Sequence, residues 1–224
     1  MKLSQSEKSF TLIYTFIVLM ELFSSQLQEL LPFNFSAKPL ILVSLIIFYA
    51  MKCKSLDART NLLMILALNF SLAGDILLMF VDVDPNMFIV GLIAFLLAHV
   101  MYVFVFKKKK HSNKPSIPLL ILLLAYAAAI LLLLKDGLSN LTIPVIIYMI
   151  VILTMIVFAS LRKGSVNNAS YGLVLLGAIF FIISDSILAI NKFYEPVVYS
   201  HFLIMGTYAL AQYLIVMGIL RQEG

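Results

Sequence analysis

Two aspartates stand where a carboxylate is costly. Asp75 lies in Asn69-Phe70-Ser71-Leu72-Ala73-Gly74-Asp75-Ile76-Leu77-Leu78-Met79, and Asp185 in Phe181-Ile182-Ile183-Ser184-Asp185-Ser186-Ile187-Leu188-Ala189. Each sits inside a run of roughly twenty mostly apolar residues, the length that crosses the hydrocarbon core of a bilayer. A carboxylate at that depth costs on the order of 3 kcal/mol on insertion scales, so by default it faces the interior of a helix bundle and serves a site. Each aspartate follows a small residue, Gly74 or Ser184, and the two segments look like versions of one element. Two acids in one apolar site tend to divide into a neutral proton donor and an ionised base, the pair that acid–base chemistry needs. The competing reading is structural, with each acid neutralised by a lysine such as Lys38 or Lys192.

The elements that must position these residues are membrane helices. The 224 residues are 62% hydrophobic and 12% charged, against about half and about a quarter in a soluble domain. The expected fold is therefore all-α, one polytopic membrane domain over 1–224, with its partner the lipid bilayer. Its net charge of +5 does not imply nucleic acid, because basic residues in a membrane protein mark cytoplasmic loops. A single cysteine, Cys53, allows no disulfide within the chain. Eight apolar spans are expected, at about 10–28, 35–51, 61–81, 86–106, 117–134, 141–160, 170–191 and 197–220. The first reads as a retained helix, since it is long for a signal peptide and no small-x-small cleavage site follows it. The second starts at Lys38-Pro39, with Pro39 placed in its first turn, where no amide partner is needed.

Charge orients the helices. With the N-terminus in the cytoplasm, 13 of the 16 Lys and Arg fall on the cytoplasmic side, among them Lys2, the tetralysine 107–110, Lys114, Arg162 and Lys163. Only Lys38, Lys135 and Lys192 fall on the other. That split supports an even number of spans with both termini in the cytoplasm. The tetralysine reads as a topology anchor, with anionic lipid binding as the alternative. Asp75 and Asp185 each lie six residues before the outer end of their span, and Glu21 lies seven before its own. At about 1.5 Å per residue these carboxyls share a depth in the outer half. Tyr148 lies at a comparable depth, Lys38 enters from that side, and Asn191 and Lys192 close span seven there. The expectation is a polar chamber of Glu21, Lys38, Asp75, Tyr148, Asp185, Asn191 and Lys192. Glu21 reads equally as a site member or as a snorkelling helix-end acid. Spans three and seven are each third in a set of four, which suggests a duplication of two four-helix halves.

His99 and Tyr102 share a face of span four, and Tyr208 and Gln212 are one turn apart on span eight. A helix-packing hydrogen bond is the commoner role for such pairs, and His201 reads as interfacial. No HExxH motif, paired cysteines or tight histidine cluster suggests a metal, and no cofactor motif is present. Neither a Gly-x-Ser-x-Gly elbow nor a P-loop occurs. Buried aspartates with lysines also suit a proton-coupled carrier of small solutes or lipids, although the spans lack the paired glycine or proline breaks of unwound helices. A lipid-binding protein without turnover is the third reading.

Several short motifs resemble one family. They are Lys38-Pro39-Leu40, Ser71-x-x-Gly74-Asp75-x-x-Leu78, Ala98-His99-x-x-Tyr102, Ser184-Asp185-Ser186-x-Leu188-Ala189 with Lys192-Phe193, and Thr207-Tyr208-x-x-Ala211-Gln212-Tyr213-Leu214. In this order and spacing the chain resembles the YhhN family of transmembrane lysoplasmalogenase-like proteins, from span two to span eight. The resemblance implies an ether hydrolase that cleaves the vinyl ether bond of lysoplasmalogens, with no cofactor. The products would be a fatty aldehyde and glycerophospho-ethanolamine or -choline. It implies Asp75 and Asp185 as the catalytic pair. In such a site Lys38 and Lys192 are the cations to meet a substrate phosphate. His99, Tyr102, Tyr148, Tyr208, Gln212 and Glu21 are candidates to orient substrate or water. The expected location is a bacterial inner membrane, or the endoplasmic reticulum of a eukaryote.

Overall fold

The computed structural model describes residues 4–25, 31–111 and 115–222, with backbone alone at 31–34. Lys2, Lys114 and the expected end of the first span near residue 28 lie outside the described residues. Those described form eight α-helices: α1 Gln5–Ser24, α2 Leu31–Lys52, α3 Ala58–Leu78, α4 Asn86–Lys108, α5 Ile117–Leu138, α6 Thr142–Ser160, α7 Asn168–Phe193 and α8 Ser200–Leu220.

The helix starts are written locally. Ser4 and Glu7 form a reciprocal capping box at α1. Asp57 accepts from the Thr60 amide at α3, and Asn167 from the Ser170 amide at α7. Pro118 sits in the first turn of α5, where its missing N–H costs nothing. Pro39 does not follow that rule. The second helix begins at Leu31, so Pro39 lies inside it, two turns from its start. Its ring nitrogen has no hydrogen to give the Phe35 carbonyl. Lys38 is therefore a residue of the helix interior, not of its entry, and is half-buried.

The chain is an all-α, multi-pass membrane protein, and among the described residues six segments are long and apolar enough to cross a bilayer. The sequence reading expected eight, and two elements account for the difference. The first helix carries Glu7, Lys8 and Glu21 within twenty residues, too many charges for a span judged by composition. Residues 117–160 form one continuous apolar segment that holds two helices, α5 and α6. They are separated by a 3-10 turn at Ser139–Leu141, where Ser139 takes a φ of 45°.

Two compact units divide the chain, Met1–Tyr102 and Val103–Gln222, with the boundary inside α4. In the first, α1 packs on α2 and α2 on α3. Phe10 stacks on Phe48 with ring centroids 3.8 Å apart, and Lys52 Nζ donates to Ser6 Oγ at 2.9 Å, so α1 and α2 run antiparallel. Tyr49 Oη donates to Asn61 Oδ1 at 3.0 Å, while Asn61 Nδ2 donates to the Cys53 and Leu56 carbonyls and ties the turn into α3.

In the second unit α7 and α8 form the closest pair. Lipid tails are as apolar as leucine, so packing and small residues hold membrane helices together. Gly177 and Gly218 supply that closeness: a Cβ on Gly177 would lie 2.9 Å from the Ala211 carbonyl oxygen, and one on Gly218 3.0 Å from the Val174 nitrogen. The stripe Ser170, Val174, Gly177, Ala178, Phe181 and Ser184 is buried at helical spacing. Helices α5 and α6 also pack against α7. Leu134, Leu138 and Val145 form a buried knot with Phe193.

Candidate functional site

In the first unit, Asp75 is 2% exposed, one turn after the fully buried Ser71. Its position is set by the preceding residue. Gly74 lies so close to α4 that a Cβ would come within 2.7 Å of the Phe95 ring, and Gly91 answers from α4, where a Cβ would meet Leu78 at 3.0 Å. Helix α4 also carries His99 and Tyr102, one turn apart and both fully buried. Glu21 on α1 is fully buried too, which sets aside the reading of a snorkelling helix-end acid, because a snorkelling carboxylate reaches water.

In the second unit, Asp185 follows the buried stripe of α7 and is half-buried. Its Oδ2 accepts a hydrogen bond of 2.6 Å from the Tyr148 hydroxyl on α6. That length is typical of O–H donation to a carboxylate and fixes the carboxyl's rotation. The neighbouring Ser184 Oγ donates to the Ile204 carbonyl of α8 at 3.0 Å. On the other flank, Ser186 Oγ bonds the Tyr126 hydroxyl of α5 and donates to the Ile182 carbonyl. Three successive residues of α7 thus engage α8, α6 and α5 in turn. Tyr208 and Gln212 are buried on α8, with the Tyr208 ring edge-on to Phe181 at 5.5 Å.

Other expected site residues are placed differently. Lys192 is exposed on the last turn of α7. The Asn191 side chain plays a structural part, since its Oδ1 accepts from the Val197 amide at 2.9 Å and pins the turn between α7 and α8. His201 is half-buried near the start of α8.

Two residues escaped the sequence reading. Tyr126 is the only polar side chain between Leu119 and Leu134, and that isolation was its available signal. Arg162, which the sequence marks only as one of the cytoplasmic basic residues, is fully buried. Its Nη2 donates to Ser170 Oγ and Gln222 Oε1, each at 3.1 Å, and its guanidinium lies 5.7 Å from the centroid of the Phe106 ring. It joins the ends of α4, α6 and α8 to the start of α7. Burial lowers its pKa to about 10, so it remains charged at neutral pH.

Residues 33–219 match the YhhN family. Lysoplasmalogenase TMEM86B of Homo sapiens is 33% identical over 157 residues, 69% of this chain and 62% of the relative. The Rattus norvegicus protein of the same name is 32% identical over 158 residues, 70% of this chain and 61% of the relative. Lysoplasmalogenase TMEM86A of Homo sapiens is 31% identical over 147 residues, 65% of this chain and 60% of the relative. The chain thus spans about three fifths of the length of these relatives. No solved structure matches it.

Proposed function

This chain belongs to the YhhN family, and from that premise we propose that it is a lysoplasmalogenase, an ether hydrolase acting in the membrane. The substrate is an alkenyl-glycerophospho-ethanolamine or -choline, and the products are a fatty aldehyde and the glycerophospho-alcohol. Relatives bearing the name lysoplasmalogenase support the reaction class. The observation that carries the reading is Asp185, a carboxylate inside an apolar helix whose Oδ2 is held at 2.6 Å by the Tyr148 hydroxyl. Carboxyls so oriented in apolar surroundings suit proton transfer to a poor acceptor.

A vinyl ether is cleaved by protonation of the alkene carbon beta to oxygen. The resulting oxocarbenium ion captures water as a hemiacetal, which collapses to aldehyde and alcohol. One aspartate gives the proton to carbon. The other, ionised, lies beside the cation and takes a proton from the attacking water, as a carboxylate does in glycoside hydrolysis. Water capture leaves the proton on the second aspartate. As the hemiacetal collapses, that aspartate protonates the departing glycerol oxygen while the first takes the hemiacetal hydroxyl proton, so the pair ends as it began. The reading requires both Asp75 and Asp185 to act in the cleavage of one bond. Lys38 and Lys192 would meet the phosphate, and Glu21, His99, Tyr102, Tyr208 and Gln212 would orient substrate or water. The same reading takes the chain as one domain with eight crossings in a four-plus-four arrangement and both termini in the cytoplasm.

The test is aldehyde release from a lysoplasmenyl-ethanolamine by protein purified in detergent, with Asp75→Asn and Asp185→Asn beside it. Turnover by the wild type that both folded variants lose supports the reading. A folded wild type that releases no aldehyde contradicts it.

A further inference from the structure

Helices α5, α6 and α7 enclose a groove of about 740 Å³, well within the size range of ligand sites. Its polar groups are unevenly placed. Ser116, Ser160, Lys163 and Tyr171 line one end, where α5 and α7 begin and α6 ends. Between them and Tyr126 the walls are Leu and Ile, including Leu119, Leu123, Leu175 and Ile179. Tyr126 and Ile182 close the far end. From Tyr171 to Ile182 is eleven residues of one helix, about 16 Å at 1.5 Å per residue. That is about half of a 30 Å hydrocarbon core, the depth of one leaflet.

Among the described residues that line the groove, Lys163 is the only charged one and none is a carboxylate. It is exposed, so its stem can lie along the helix ends while the ammonium meets a head group at the interface. The buried Arg162 beside it adds positive charge behind the rim. Hydroxyls and a cation at the interface, above an apolar channel one leaflet deep, match the order of groups along an anionic lipid.

We propose that this groove is a binding site for an anionic lipid, its carboxylate or phosphate on Lys163 and Ser116 and its acyl chain running to Tyr126. The site differs from the one proposed for catalysis. In a lysoplasmalogen the vinyl ether adjoins the glycerophosphate, whereas Lys163 lies beyond the start of α7 and Asp185 more than ten residues along that helix. A lipid with its head on Lys163 therefore presents only chain at the Asp185 level. The proposal does not depend on the role of Asp75 or Asp185.

Photo-crosslinking tests it. Full-length protein in a neutral detergent is exposed to three probes that carry the same saturated chain with a diazirine at its end: a fatty acid, a lysophosphatidate and a monoacylglycerol. Labelled peptides are located by mass spectrometry. The expected result is labelling by at least one anionic probe around Leu123, Tyr126 and Ile182, about fivefold above the neutral probe, the discrimination that one interfacial lysine supplies. Whether the fatty acid, the lysophosphatidate or both react identifies the head group. Lys163→Gln, at an exposed position, should reduce anionic labelling about fivefold without changing the melting temperature. Ile179→Trp should abolish it by filling the groove. Equal labelling by all three probes overturns the proposal, as does labelling indifferent to Lys163→Gln and Ile179→Trp or spread over the outer face of α5 at Ile121, Leu124 and Leu132.

Discussion

Around Asp75 the helices close on a flexible ring; around Asp185 they close on backbone and on a phenol. Gly74 faces the Phe95 side chain, and Asp75 beside it is almost wholly buried. Gly177, two turns before Asp185, faces the Ala211 carbonyl of α8, and Asp185 itself stays half-buried with Tyr148 on its Oδ2. A ring can turn aside, but a helix backbone cannot without parting the helices. The first neighbourhood packs a side chain beside its acid, whereas the second packs helix backbone two turns from its acid and brings a hydroxyl to it from α6. Similar motifs can therefore present carboxyls that differ in access, as a division of labour between two acids requires.

The comparison can be broken most severely at the acids themselves. Asp75→Asn and Asp185→Asn should each reduce aldehyde release by about a hundredfold or more, the scale of a lost general acid or base. A loss confined to one of them would leave the other as structural. Stability comes next. Gly177→Val should destabilise the protein by about 3 kcal/mol or more through overpacking against backbone, and Gly74→Val by less, since Phe95 can move. Thermal melting in detergent reads both, and the reverse order would contradict the contrast between ring and backbone.

Smaller effects sharpen the contrast. Tyr148→Phe removes the hydrogen bond to Asp185 and should lower turnover about tenfold, because hydrogen bonds to charged groups contribute about 1.5–3 kcal/mol. The readout is initial rate at saturating substrate, with melting as the control. The smallest change is expected for Tyr126→Phe. Ser186 keeps its bond to the Ile182 carbonyl, so turnover should stay within about threefold and stability within about 1 kcal/mol.

The membrane character and helix positions were legible because apolar length and short polar loops are strong signals. All-α architecture, the placement of both aspartates on helices and the pairing of Tyr148 with the depth of Asp185 follow from counting residues along spans. Tyr148 and Asp185 were matched in depth by sequence, but only packing of α6 on α7 reveals the hydrogen bond. Pro39 misled because its usual place is a first turn, whereas here backbone upstream of it is already helical. Arg162 misled because loop cations are normally solvated; the converging ends of α4, α6, α7 and α8 bury this one. Asn191 looked like a site residue because side-chain capping of a turn leaves no periodic trace. Tyr126 meets Ser186 across sixty residues of chain, a long-range contact that spacing within one helix does not encode.

The central claim is proton transfer to carbon by an aspartate pair, and turnover in heavy water tests it most directly. Wild-type protein is supplied with lysoplasmenyl-ethanolamine in D2O, and the aldehyde is reduced as it forms and weighed by mass spectrometry. The account predicts one deuterium on the carbon next to the carbonyl, formed by the wild type and lost with Asp75→Asn and Asp185→Asn. Aldehyde without that deuterium, or deuterated aldehyde formed undiminished by either folded variant, would contradict it.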